Sequence, residues 1–296
     1  MNSPILKGYA FLLIAATLFG TTGTAQMLGG QDVPPWIIGA FRLVIGGPLL
    51  LVISFLATKQ GTKAEGPPRY GLILASSLGT VLFQFTFFEA VARTGVATGT
   101  LVSIGSGPIF AGLLGAFFLK EPLDKAWGVA TALAISGCVF LVSPGKGLEM
   151  DPVGIGLALS AGFGYAVYVV GGKDLARTMG PARAVGSILT WGAGFMFPFL
   201  IFADLSMLIN GKVIATLGYL GIFATALSYF LLTRGLTVIP VASATVILLV
   251  EPLVGSFLGV CLLGEPVTLS SGTGMVLLFA GMAVIAFKQL KTPASV

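Results

Sequence analysis

The chain has 296 residues, of which 56% are hydrophobic and only 9% charged, and its mean hydropathy is +1.01. Soluble domains carry about 25% charged residues, so this composition excludes a water-soluble fold and indicates an all-α membrane protein. The net charge of +5 does not indicate nucleic acid, because its carriers are scattered between apolar runs, a pattern that membrane topology explains.

In chain order, apolar runs long enough to cross a bilayer lie near 6–28, 36–57, 70–92, 96–119 and 125–143. Five more lie near 153–172, 182–203, 212–234, 240–263 and 268–287, so ten spans are expected. In hydrocarbon the backbone must satisfy its own hydrogen bonds, and runs of this length do so only as helices. The first run is too long for the apolar core of a signal peptide, and it has an internal match in the sixth run, so it is read as a span.

The basic residues set the expected orientation. With a cytoplasmic N-terminus, Lys7, Lys59, Lys63, Arg69, Lys120, Lys125, Lys173, Arg177, Arg183, Arg234, Lys288 and Lys291 face inside. Only Arg93, Lys146 and Lys212 face outside, and Arg42 lies within a span. This positive-inside bias places both termini in the cytoplasm and the protein in the cell (inner) membrane.

The chain also says one thing twice, 144 residues apart: PIFAGLLGAFFLKEPL at 108–123 and PLVGSFLGVCLLGEPV at 252–267. At that offset Pro108 meets Pro252, Gly115 meets Gly259, and Glu121-Pro122 meets Glu265-Pro266; upstream, Phe19-Gly20 meets Phe163-Gly164. Two repeats, 1–143 and 152–287, are therefore expected on either side of the polar loop 143–152. Five spans per half is an odd number, so the second half enters the membrane in the opposite sense. Inverted repeats of this kind place a substrate site near the midplane where the halves meet.

Catalytic chemistry is scarce. Histidine is absent, which removes His-based catalysis and most zinc sites, and no CxxC, Walker-type or Asp-rich metal motif occurs. No catalytic residue, metal site or cofactor is expected, and the chain is not read as an enzyme. Cys138 and Cys261 sit in apolar segments without ligand-like neighbours and read as buried small apolar residues.

The ordered pattern resembles the drug/metabolite transporter superfamily, specifically the ten-helix EamA-type exporters. Its carriers are ATLFG (16–20) echoed by AGFG (161–164), and GAFRLVIGG (39–47). To these are added FFEAVARTGVATGT (87–100) through KEPL (120–123), and SYFLLTRGL (228–236) through GEPV (264–267). The resemblance implies two bundles around a central cavity lined mainly by spans 1, 3, 4, 6, 8 and 9, and export of amino acids, metabolites or drugs; one branch handles aromatic amino acids. The family often has tryptophan before the glycine of the first span, where this chain has Phe19.

Several residues are candidates for transport. Pro108 and Pro252 are mid-span, where each removes a backbone hydrogen bond and frees the carbonyl of Ile104 or Leu248; they read as paired hinges, or as static kinks. Glu121 and Glu265 end their spans beside prolines, and read as helix stops or as a gating salt bridge. Glu251 is the most costly intramembrane charge, and its repeat counterpart is Gly107. It reads as a proton-coupling group, as a partner for a substrate ammonium, or as a carboxyl that only holds two helices together. Arg42 and Glu89 read as members of structural ion pairs, with Arg93 one turn beyond Glu89, and Arg42 as a carboxylate binder is the minority reading. A diffuse substrate site is drawn from Thr17, Ser103, Tyr165, Tyr168 and Tyr229, and from Thr80, Gln84 and Phe88 on one face of span 3.

The preferred reading is a secondary transporter exporting amino acids or similar small metabolites by alternating access, with the small-molecule substrate and the lipid bilayer as its partners. Oligomeric state is open, a monomer included. Multidrug efflux by proton antiport is the alternative. A membrane enzyme or a receptor is the distant one, disfavoured by the missing histidine and the short loops.

Overall fold

The computed structural model describes residues 4–57, 69–118, 123, 125–142, 151–236, 238–239, 247–248 and 250–291, and the elements formed by these residues are helical. In chain order they are α1 (Pro4–Gly20), α2 (Thr22–Gly29), α3 (Pro35–Ala57), α4 (Tyr70–Thr94), α5 (Val96–Phe118) and α6 (Lys125–Val142). There follow α7 (Pro152–Met179), α8 (Pro181–Ile201), α9 (Gly211–Gly221), a wide π turn (Ile222–Leu227), α10 (Ser228–Gly235), α11 (Val250–Cys261) and α12 (Leu269–Lys291).

Among the described residues, seven helical runs are long and apolar enough to cross a membrane: α1 with α2, α3, α4, α5, α7, α8, and α9 through α10. They coincide with expected spans one to four and six to eight. The fifth expected span overlaps α6, which is not among the seven, and the ninth and tenth overlap the shorter apolar helices within α11 and α12. Large apolar side chains face outward along the bundle, with Leu56 81% and Phe117 71% exposed. Water would not tolerate that surface, but lipid does. The chain is a multi-pass membrane protein.

Local sequence sets the helix limits. Asp151 caps α7, its Oδ1 accepting the Val153 N–H at 2.9 Å, and Pro152 occupies the first turn, where its missing N–H costs nothing. Pro48 and Pro198 lie inside α3 and α8, where each removes one backbone hydrogen bond from its helix. The helix α5 runs unbroken through position 108.

Helices from the two halves pack on one another. α4 runs antiparallel to α7: Gly79 meets Gly164, Ser76 meets Gly171, and ion pairs join the helices at both ends, Arg93–Asp151 at 3.1 Å and Arg69–Asp174. A Cβ at Gly79 would stand 2.8 Å from the Gly164 carbonyl, so the crossing requires glycine. α3 lies antiparallel to α8 (Gly47 on Leu189, Gly186 on Leu51), and α6 to α12 (Gly137 on Leu278, Gly281 on Ala130). α1 and α10 meet where Gly8 faces Val238 and Gly235 faces Leu12. α11 lies along α5, with Gly255 near Thr100 and Gly259 near Ala97.

Candidate functional site

A cavity of about 240 Å³ lies among α1, α2, α3, α4, α5, α7, α8, α10 and α11. Its aromatic wall is continuous. Phe19 meets Tyr229 edge-on at 4.9 Å, Tyr229 meets Tyr168 at 6.2 Å, Tyr168 meets Tyr165 at 6.0 Å, Tyr165 meets Phe83 at 6.1 Å, and Phe83 stacks on Phe87 at 5.1 Å. Ring faces present a diffuse negative potential and phenol hydroxyls add directional hydrogen bonds, so the wall suits a small amphipathic or cationic solute.

Two opposite charges share this cavity. Arg42, 5% exposed, donates from Nε to Thr225 Oγ1 at 2.7 Å and from Nη2 to the Ala224 carbonyl at 3.2 Å, and its guanidinium sits 5.9 Å from the centre of the Phe88 ring. Glu251, in the first turn of α11, lines the same space, and no hydrogen bond or ion pair holds its carboxylate among the described residues. Ile104 and Leu248, four residues before Pro108 and Pro252, both line the cavity.

The lining reaches exposed Lys173 and the α7–α8 junction at Pro181. At the opposite end the helices are tied together. Glu265, just beyond α11, accepts the N–H of Val96 and, at 2.9 Å, that of Ala97, the first residues of α5. A carboxylate there meets the positive end of a helix dipole and satisfies two of its orphan donors. Gly95 makes the turn into α5 with φ +83°, and a Cβ there would press on the Glu265 carboxylate at 3.0 Å. Beside this contact Arg93 bridges Glu89 at 2.7 Å and Asp151 at 3.1 Å, and the Arg93 guanidinium holds the Asp151 carboxyl below its usual range.

The expected site residues divide sharply. Tyr165, Tyr168, Tyr229 and Glu251 line the cavity; Thr17, Gln84, Phe88 and Ser103 do not. Thr17 is exposed on the outer side of α1, and Gln84 packs against Gly39 of α3. Phe88 is fully buried beneath Arg42, and Ser103 is buried where α5 meets Gly162 of α7. The face of α4 carrying Thr80, Gln84 and Phe88 is a packing face, and the cavity takes the adjacent face with Phe83 and Phe87, whose i,i+4 spacing was equally visible in the sequence. Glu89 is in the expected i,i+4 ion pair with Arg93. Arg42 is not: among the described residues no carboxylate lies within salt-bridge distance, and its partners are a hydroxyl and a carbonyl. Pro252 is buried early in α11. Glu121 and Pro122 lie outside the described residues.

The comparisons with known proteins agree with this architecture. The chain is 36% identical over 276 residues to the uncharacterised transporter YwfM of Bacillus subtilis (strain 168), spanning 93% of this chain and 92% of that one. It is 28% identical over 274 residues to the threonine/homoserine exporter RhtA of Escherichia coli (strain K12), covering 90% and 86%. A probable amino-acid metabolite efflux pump of Salmonella typhimurium (strain LT2) is 26% identical over 290 residues, covering 93% of each. One crystal structure superposes with a TM-score of 0.67 at 20% identity, over 97% of this chain and 99% of its own, which shows the shared fold. A transporter family described as EamA-like matches twice, over residues 6–143 and 152–287. The doubled helical core, the cavity between its halves and this double match together make the chain a member of the EamA-like transporter family.

Proposed function

We propose that this membrane transporter exports amino acids or similar small zwitterionic metabolites by alternating access between two inverted five-helix repeats. The observation that carries the reading is the placement of Arg42 and Glu251 in one small aromatic cavity, without a salt bridge between them. A substrate carboxylate has Arg42 as its partner, a substrate ammonium has Glu251, and the tyrosines enclose what lies between. The cavity volume, about 240 Å³, falls below the roughly 300–1,000 Å³ usual for drug-sized ligands, which favours small metabolites over multidrug efflux. The exporters of threonine, homoserine and amino-acid metabolites among its relatives point the same way.

Antiparallel packing of α3 on α8 and of α6 on α12, which hold equivalent places in the two matched segments, supports inverted repeats and ten spans. In this reading the end with Lys173, Arg177 and Arg183 is cytoplasmic, as are both termini, because basic residues concentrate there. The cavity then approaches the cytoplasm while Glu265 closes the outer end. Exchange between this state and its mirror carries substrate outward, with Pro108 and Pro252 as hinges.

Counterflow into liposomes holding the purified protein, over a panel of amino acids, sugars and lipophilic cations, tests the reading. Movement of amino acids that is lost in both Arg42→Gln and Glu251→Gln supports it. Transport of lipophilic cations alone would reject it in favour of drug efflux. Proton coupling through Glu251 is excluded if Glu251→Gln leaves the pH dependence of export unchanged.

A further inference from the structure

The π turn Ile222–Leu227 interrupts the helical run between α9 and α10 directly beside Arg42. Such a turn adds one residue to the helix and leaves carbonyls without their usual donors, and its recurrence at functional sites has this physical basis. Here each loose end has a partner. The Thr225 hydroxyl donates to the Leu220 carbonyl at 2.8 Å, five residues back, and the Ser228 hydroxyl to the Phe223 carbonyl at 2.8 Å. The Ala224 carbonyl, inside the turn, accepts from Arg42 Nη2 at 3.2 Å.

Thr225 is 1% exposed, and its orientation is over-determined. Because its proton goes to Leu220, its oxygen can only accept, and it accepts Arg42 Nε at 2.7 Å. Its methyl group lies against Gly46 of α3, where a Cβ would stand 2.5 Å from Thr225 Cγ2 and 2.8 Å from the Gly221 carbonyl. The turn is therefore seated on the glycine one helical turn beyond Arg42, and Phe88 closes the other side of the guanidinium. With Nε and Nη2 engaged, the fork has one orientation, and no hydrogen-bond partner holds Nη1 among the described residues.

We propose that Thr225 is a positioning residue for substrate recognition: carried by the π turn, it locks Arg42 so that the free edge of the guanidinium faces the cavity as a preformed carboxylate anchor. The inference rests on the amino-acid reading above and deepens it, assigning recognition of the substrate carboxylate to a two-residue unit. Planar guanidinium-to-carboxylate pairing is strong only when the fork is held in plane, so a loose Arg42 binds the same carboxylate more weakly.

The test compares counterflow KM and kcat for an amino acid and for its carboxamide, which keeps the ammonium and side chain but lacks the carboxylate. Wild type is expected to prefer the acid. Thr225→Val preserves shape, removes the acceptor, and raises KM for the acid about tenfold to a hundredfold, the effect of one charge-assisted hydrogen bond. Its kcat, and its KM for the amide, change by less than about twofold, since the loss is in binding rather than in the conformational cycle. Thr225→Ser keeps the oxygen and restores the preference. Thr225→Cys, with a weak acceptor of similar size, gives the same comparison if valine prevents folding. Unchanged acid preference in both Thr225→Val and Thr225→Cys would overturn the role of Thr225 while leaving the Arg42 anchor standing. Equal transport of acid and amide by the wild type would overturn the carboxylate anchor itself.

Discussion

Glu265 gives the most direct test of how one end of the cavity is closed. Its carboxylate joins the end of α11, in the second half of the chain, to the first two N–H groups of α5, in the first half. A hydrogen bond to a charged group contributes about 1.5–3 kcal/mol when buried. Glu265 is half-buried, so solvent screening brings each bond nearer to about 1 kcal/mol, and the pair to about 2 kcal/mol. Glu265→Ala removes both bonds, whereas opening of this end already breaks them. The substitution therefore raises the population open at the Glu265 end about thirtyfold relative to the closed one. A single cysteine at position 22, on the cavity lining, in a background with Cys138 and Cys261 replaced, reports that population. A membrane-impermeant thiol reagent supplied from the Glu265 side should label it roughly thirty times faster in Glu265→Ala, with Glu265→Gln in between because its amide keeps one acceptor oxygen. Unchanged labelling in a protein that elutes and melts like wild type would refute the argument that this contact holds the end shut.

Other outcomes follow from the same geometry. Gly79→Val places branched carbons against the Gly164 carbonyl and should destabilise the α4–α7 crossing by about 1–3 kcal/mol, read as a lower thermal midpoint in detergent; Gly156→Ala, with no atom within 4 Å of the new Cβ, should not. Asp151→Asn lowers the midpoint at neutral pH: a carboxyl held below its ordinary 3.8 contributes stability above that value and loses it as pH falls through the depressed one. The gap between variant and wild type should therefore close below about pH 3.8, and a gap independent of pH would show that the Arg93 pairing is not its source. Neighbouring positions on α4 should behave oppositely in counterflow. Phe83→Ala removes one ring from the cavity wall beside Phe87 and Tyr165, and the loss of one aromatic contact to substrate, about 0.5–1.5 kcal/mol, should raise KM about twofold to tenfold; Gln84→Leu, outside the cavity, should leave KM unchanged.

The membrane class, the apolar runs and the doubled halves were legible because they are one-dimensional. Exclusion of charge over about 20 residues is a property of a segment, and a repeat is a property of two segments, so neither needs a partner in space. Glu251 was legible for the same reason: a carboxylate in the middle of an apolar run, opposite a glycine in the other repeat, is conspicuous without coordinates. The pairing of Glu89 with Arg93 lies within a single helix, and its spacing alone announced it.

Which face of a helix meets the cavity is a different kind of fact. Both 83/87 and 84/88 recur at helical spacing, and in a membrane the outward face is as apolar as the packed one, so the polarity contrast that orients a soluble amphipathic helix is missing. The packing of α4 on α3 at Gly39 decided it, turning Gln84 inward and Phe83 to the cavity. The sequence suggests an ion pair for Arg42 because only charges are conspicuous in a string of letters. The structure satisfies it instead with a threonine and a carbonyl made available by a π turn more than 180 residues away, a contact that exists only after the two halves pack. What the sequence by itself determined is therefore the class of the protein, its approximate spans and its duplication. Only the tertiary structure decided which of the proposed binding residues share a cavity and how its arginine is held, because hydrocarbon erases the inside–outside pattern and leaves close packing to choose the faces.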